Sequence, residues 1–212
     1  MTEYGKTFKI EDENRIVDGC TVSAADVKGA VYFALAKNTD ISPEIYSSGK
    51  LLIVSSGTLI AYNGEFAKEV RENQAILIKE NTPIGMKTES GAIYTEITLR
   101  SDGKMNGNIK AGNVFRLKDL VPYQEGKIVN MDVASNEKAK FVIMAFDKGT
   151  GLSEHAAPGE ALIFALDGEG IIGYEGKEYP IKAGENFKFA KQGKHYVKAT
   201  EKFKMALFLT LE

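Results

Sequence analysis

The 212-residue chain holds two histidines, His155 and His195, and one cysteine, Cys20. Imidazole titrates near neutrality, so each histidine suits acid–base work, hydrogen bonding to a ligand, or metal ligation. Cys20 as a nucleophile would need an imidazole beside it, and both imidazoles lie in the other half of the chain. Glu154 and Glu160 are carboxylates close to His155 in sequence. Along a regular strand Glu154 points away from the face that His155 shares with residues 157 and 161. Glu160 follows Ala156-Ala157-Pro158-Gly159, where strict alternation breaks, which leaves it two roles: a third metal ligand or a surface carboxylate.

One further pattern suggests chemistry and then withdraws it. Gly168-Glu169-Gly170-Ile171-Ile172-Gly173 matches the G-x-G-x-x-G dinucleotide fingerprint. That fingerprint works only where a helix begins, because helix N-terminal amides must meet the pyrophosphate. The residues that follow, YEGKEYPIKAGE, bring glycines and Pro180 where helix interior should be. The pattern therefore reads as strand, turn and strand.

The elements that must position these residues are β-strands. AVYFALA, KLLIV, TLIAY, QAILIKE and AIYTEITLR are short, rich in β-branched and aromatic residues, and separated by turn signals. FVIMAF, ALIFAL, GIIGY, NFKFA and FKMALFLTL repeat the scheme. Helical periodicity is confined to weak candidates such as Ser23 to Lys28. The two series align in order: Phe8–Gly19 with Phe115–Gly126, then Ala30–Val54 with the stretch from Phe141, after a short insertion in the second copy. Such a tandem repeat implies two domains, residues 1–104 and 105–212, joined through the Gly-, Asn- and Lys-rich Arg100–Asn113. Many short strands at even spacing predict an all-β fold of two barrels with apolar cores. The N-terminal strand region Lys6–Ile10 and its copy Val114–Lys118 are candidates for strand exchange in a homodimer.

Composition narrows the function. Twenty-seven basic against 29 acidic side chains give a net charge near −2, with no basic field for a phosphate backbone, which argues against nucleic acid. No apolar run approaches the length of a membrane span. The lone cysteine suits a reducing compartment, and the charged N-terminus is unlike a signal peptide, so a cytoplasmic location is expected.

The second copy resembles the cupin superfamily. Gly149, His155 and Gly168 match the first cupin motif, G-x5-H-x-H-x3-E-x6-G, while Ala157 and Ala161 stand at its second histidine and its glutamate. Gly184 and His195 match the second motif, G-x5-P-x-G-x2-H-x3-N, with Ala190, Gln192 and Ala199 replacing proline, glycine and asparagine. The stretch SEHAAPGEALIFALDGEG is similar to small stand-alone bacterial cupins. The resemblance implies two tandem double-stranded β-helix (jelly-roll) barrels. It also implies that His155 and His195 converge on one interior wall, with Phe164, Phe187 and Phe189 as candidate wall residues. It implies a divalent metal (Zn, Ni, Fe or Mn) held weakly by His155 and His195, with or without Glu160, since two of four ligand positions carry methyl groups. By the repeat, Ile45, Ser47, Leu51 and Ile84 take the places of His155, Ala157, Ala161 and His195, so the first barrel keeps no ligand set. Two functions stay open. One is a bicupin that binds a small molecule through His155 and His195, whether or not it catalyses a reaction. The other is a non-catalytic structural or regulatory bicupin with a vestigial site.

Overall fold

Short runs of β-branched and aromatic residues, punctuated by glycine and asparagine, leave the backbone few options other than strands. The computed structural model describes residues 3–99 and 103–211, and within them it contains 19 strands and two short helical turns, Ile10–Glu13 and Leu117–Asp119. Arg100, Ser101 and Asp102 of the expected linker lie outside the described residues, as do both extreme termini. The protein is predominantly all-β, with two β-sheet units. The helical candidate Ser23–Lys28 is not a helix. Its first half is strand Thr21–Ala25, held by pairing with Ala30–Leu35.

The C-terminal unit comprises residues 3–9, 104–106 and 117–211. Its main row of antiparallel strands runs Thr7–Phe8, Asn186–Phe189, Ala161–Tyr174, Phe203–Thr210, Ala139–Phe146, Ile128–Ser135 and Lys104–Met105. Ala161–Tyr174 is long enough to serve two layers. A bulge between Ala165 and Asp167 shifts the register of its pairing with Phe203–Thr210, which runs on to Gly168. Its second half then pairs with Lys177–Lys182 and Lys194–Lys198, and Lys194–Lys198 carries Gly151–Ala156 at the edge. Phe146, Ile163, Ile172, Phe187, Val197 and Phe203 belong to one buried apolar cluster inside this unit.

The N-terminal unit comprises residues 10–99 with 107–116. It repeats the plan: Val114–Phe115, Ala75–Ile78, Gly49–Tyr62, Ala92–Leu99, Ala30–Leu35 and Thr21–Ala25 in one row. Gly49–Tyr62 is the long strand here, with its bulge between Val54 and Ser56. Leu35 pairs with Ala92 as Phe146 pairs with Phe203, each 111 residues further on. The boundary expected near residue 104 does not coincide with the packed units, because the strand Thr7–Phe8 falls in the C-terminal unit and Val114–Phe115 in the N-terminal one.

The three glycines of the dinucleotide-like pattern all lie in the strand Ala161–Tyr174, and no helix follows. Gly168 has φ of 68°, and a Cβ there would collide with the Lys202 carbonyl oxygen, while a Cβ on Gly170 would stand 2.9 Å from the Lys198 carbonyl oxygen. Close backbone approach at Gly168 and Gly170, and the Tyr196 ring packed over Gly173, explain the glycines without a cofactor. Among the described residues, no helix is long and apolar enough to cross a membrane.

Candidate functional site

His155 lies in the edge strand Gly151–Ala156 and His195 in its neighbour Lys194–Lys198, where the two residues are direct cross-strand partners. A bulge between Leu152 and His155 inserts one residue, so that His155 rather than Glu154 stands opposite His195. The ring centroids are 4.2 Å apart, with planes inclined by 54°. Each ring is held the same way. Nδ1 of His155 lies 2.8 Å from the Ser153 carbonyl oxygen, and Nδ1 of His195 lies 3.0 Å from that of Gly193. A carbonyl oxygen only accepts, so Nδ1 carries the proton in both rings and Nε2 of each neutral ring keeps its lone pair.

The pair spans the boundary between solvent and core. His195 is 7% exposed, and its other face stacks on Phe189 at 4.0 Å. His155 is exposed, because its strand is an edge with a single neighbour. The two histidines therefore meet as expected, but His155 does so at the surface rather than on an interior wall. Tyr174 is the cross-strand partner of His195 on the other side, and its hydroxyl accepts the Ala190 N–H at 3.3 Å. Ala157 and Ala161 are buried in the same cluster as Phe187 and Phe189. Phe164 is not part of that cluster and packs against Phe141, with centroids 6.3 Å apart. Alternation along the strand turns it to the opposite face from Ile163.

Glu160 has found another partner. Its carboxylate accepts a hydrogen bond from the Tyr4 hydroxyl, and Lys188 sits 4.6 Å above the Tyr4 ring. Among the described residues, no group of three or more His, Cys, Asp or Glu side chains is placed to hold a metal ion. Two imidazoles fall short of the three protein ligands usual in catalytic zinc sites, so the donors present do not fit a tightly held ion.

The repeat alignment needs one correction. Glu44 is the cross-strand partner of Ile84, across a bulge between Ile41 and Glu44 that matches the one before His155. Glu44, not Ile45, is therefore the counterpart of His155, while Ile84 remains that of His195. The bulge adds a residue at a place where sequence similarity is too thin to fix the register.

Burial holds the His195 imidazole below its ordinary pKa of 6.5, and the neighbouring His155 adds to this, against the Gly193 carbonyl, which favours the protonated ring. As pH falls, the unfolded chain takes up this proton before the folded chain does. The contribution of His195 to stability is thus full above about pH 6.5, declines below it, and is lost once pH passes the lowered folded value. His195→Asn should flatten that part of the profile. Urea midpoints measured across this range would check it, and equal slopes in variant and parent would refute the assignment.

Comparison with known proteins agrees with this architecture. Residues 142–211 match the family model described as cupin domain. A "Cupin 2 conserved barrel domain protein" from Leptotrichia buccalis is similar over 99% of this chain and 98% of its own, with 27% identity and a TM-score of 0.86. Protein Ylba from E. coli is 12% identical over 99% of this chain and 93% of its own, with a TM-score of 0.62. A salicylate 1,2-dioxygenase from Pseudaminobacter salicylatoxidans is 11% identical over 90% of this chain and 76% of its own, at 0.63. These last two show likeness of fold alone. No curated protein matches. The protein thus has a cupin-superfamily fold, with a cupin domain in its C-terminal half. The second β-sheet unit is consistent with a bicupin arrangement.

The sequence offers the histidine pair and, among the candidate wall residues, Phe189, on which His195 stacks; it does not offer Tyr4 as the partner of Glu160. Alternation with Phe187 was the available signal for Phe189. Nothing in the sequence connects Tyr4 with Glu160, which lie 156 residues apart.

Proposed function

We propose that both units are double-stranded β-helix barrels, and that the C-terminal one binds a small molecule through His155 and His195. The observation that carries this is the matched pair of rings, each anchored at Nδ1 by a carbonyl, which presents two Nε2 lone pairs on one patch. Two neutral imidazoles accept hydrogen bonds from a ligand bearing N–H or O–H groups. The exposed ring gives access, and the buried ring, stacked on Phe189, gives a fixed orientation. A divalent ion at the same lone pairs would have to complete its coordination with solvent or ligand oxygen, so it would exchange readily. The competing reading, a vestigial structural site, draws on the burial of His195 and on the lack of a third metal donor.

The test is uptake of Ni(II) and Zn(II), followed by metal analysis, on protein purified without chelator or affinity metal, in parent and in H155A/H195A. Binding is expected to be weak and reversible in the parent and absent in the double variant, with the fold unchanged by circular dichroism. Equal uptake by both proteins would remove the pair from any site. A double variant that unfolds would assign the histidines to structure.

A further inference from the structure

The segment before the strand Thr7–Phe8 packs against the ring that neighbours His195. Position 5 is glycine, at φ of 72°, and a Cβ there would stand 2.9 Å from Cδ1 and Cε1 of Tyr174. The other edge of the same ring meets a second glycine, where a Cβ on Gly193 would stand 2.6 Å from Tyr174 Cε2. Tyr174 is thus wedged between two stretches of bare backbone. Several contacts hold the segment in this place. Thr7 and Phe8 pair with Phe187 and Asn186, and Thr7 Oγ1 donates to the Pro180 carbonyl at 3.1 Å. The Gly5 N–H donates to the Lys188 carbonyl at 3.1 Å. The Tyr4 hydroxyl donates to Glu160, and the Lys188 ammonium lies over the Tyr4 ring.

Tyr174 in turn reaches His195 by three routes. The two residues are cross-strand partners. The Tyr174 ring lies 5.4 Å from that of Phe189, on which His195 stacks. The third route runs through a turn. The Tyr174 hydroxyl accepts the Ala190 N–H at 3.3 Å, and the Ala190 carbonyl accepts the Gly193 N–H at 3.0 Å. The Gly193 carbonyl, at the end of this turn, accepts from Nδ1 of His195 at 3.0 Å and from the Ala157 N–H at 3.2 Å. The bond that fixes the His195 tautomer therefore depends on a turn that the Tyr174 hydroxyl holds. His155 has a separate anchor, the Ser153 carbonyl in its own strand.

We propose that Tyr174 is a positioning residue for His195, and that the N-terminal segment holds Tyr174 in place through Gly5. Loss of either contact lets the turn at 190–193 shift and frees Nδ1 of His195. A freed neutral imidazole divides its proton between its two nitrogens. A ring protonated at Nε2 offers no lone pair to the patch it shares with His155. The docked segment keeps the pair competent, and whatever draws Tyr4 and Gly5 away lowers the competent fraction. The effect on affinity rests on the reading of His155 and His195 as a binding pair; the effect on the tautomer does not.

The experiment follows the tautomers of both rings by long-range proton–nitrogen NMR correlations, at a pH where both imidazoles are neutral. It compares the full-length parent with Tyr174→Phe and Gly5→Ala. Tyr174→Phe keeps the ring, and Gly5→Ala alters a segment outside the core, so the unit stays folded in both. The parent is expected to carry the proton on Nδ1 in both rings. In each variant His195 should move towards the Nε2–H form while His155 keeps its tautomer. With a competent fraction of about one half, the apparent Kd for Zn(II) rises about twofold, and further as the Nε2–H form gains. An unchanged His195 tautomer in Tyr174→Phe overturns the role of Tyr174, and the same result in Gly5→Ala overturns that of the segment. Equal shifts in both rings would show general loosening and overturn the proposal as a whole. If the tautomer moves as expected and Zn(II) binds no variant and not the parent, the positioning stands and the binding reading fails.

Discussion

Gly168→Ala is expected to destabilise the C-terminal unit by on the order of 3 kcal/mol. Two costs combine. With φ at 68°, the backbone lies in the left-handed region, where a Cβ is strained, and that Cβ would collide with the carbonyl oxygen of Lys202. The collision is with the backbone that leads into the paired strand Phe203–Thr210, so no side-chain rotation relieves it. Gly57 is the equivalent position in the N-terminal unit, at φ of 75° and against the Gly91 carbonyl, and Gly57→Ala should cost about the same there. Hydrogen exchange resolved by segment would check both, with protection lost in strands of the substituted unit first. Unchanged protection in Gly168→Ala would mean that the bulge between Ala165 and Asp167 can absorb the added methyl group.

Phe187→Ala should cost about 3–5 kcal/mol, the range for emptying a large aromatic from a closed core. Phe187 is fully buried and touches three other aromatic rings, Tyr174, Tyr179 and Phe189, with centroids 5.8, 5.2 and 5.3 Å away. Two of these, Tyr174 and Phe189, flank His195 through pairing and stacking. The variant should therefore loosen the His195 ring as well as the core. Urea unfolding gives the stability change, and the imidazole proton linewidths of His195 report the ring. A loss below about 1 kcal/mol would show that the aromatic cluster collapses to fill the space.

Much of the fold was legible because strands carry their own signature. AVYFAL and FVIMAF are strands by composition alone, and the structure pairs each with the strand that follows the last turn of its copy. The histidine pair was legible through spacing to Gly149, Gly168 and Gly184, which fixes the strands and turns between motif residues. What the sequence hid depends on single-residue events. One inserted residue before His155 decides which side chain stands opposite His195, and its counterpart before Glu44 displaced the alignment by one. Lys50 and Glu96 were visible as charges inside the apolar runs KLLIV and AIYTEITLR. Their ion pair, at 2.7 Å, depends on which strands become neighbours, and no local pattern states that. The role of Glu160 was open for the same reason, since its partner Tyr4 arrives from the other end of the chain.

The placement of Thr7–Phe8 in the C-terminal unit and of Val114–Phe115 in the N-terminal one has a consequence for the gene as well as for the protein. No single scission releases both units whole. A cut near residue 104 yields a C-terminal fragment whose strand Asn186–Phe189 lacks its outer neighbour, and an N-terminal fragment whose strand Ala75–Ile78 lacks its own. Each fragment would bare a row of unpaired amides and carbonyls that recruits whatever strand is nearest. Fission of the gene into two independent one-unit proteins is thereby penalised at the first step. Two separately made halves would survive best by finding each other.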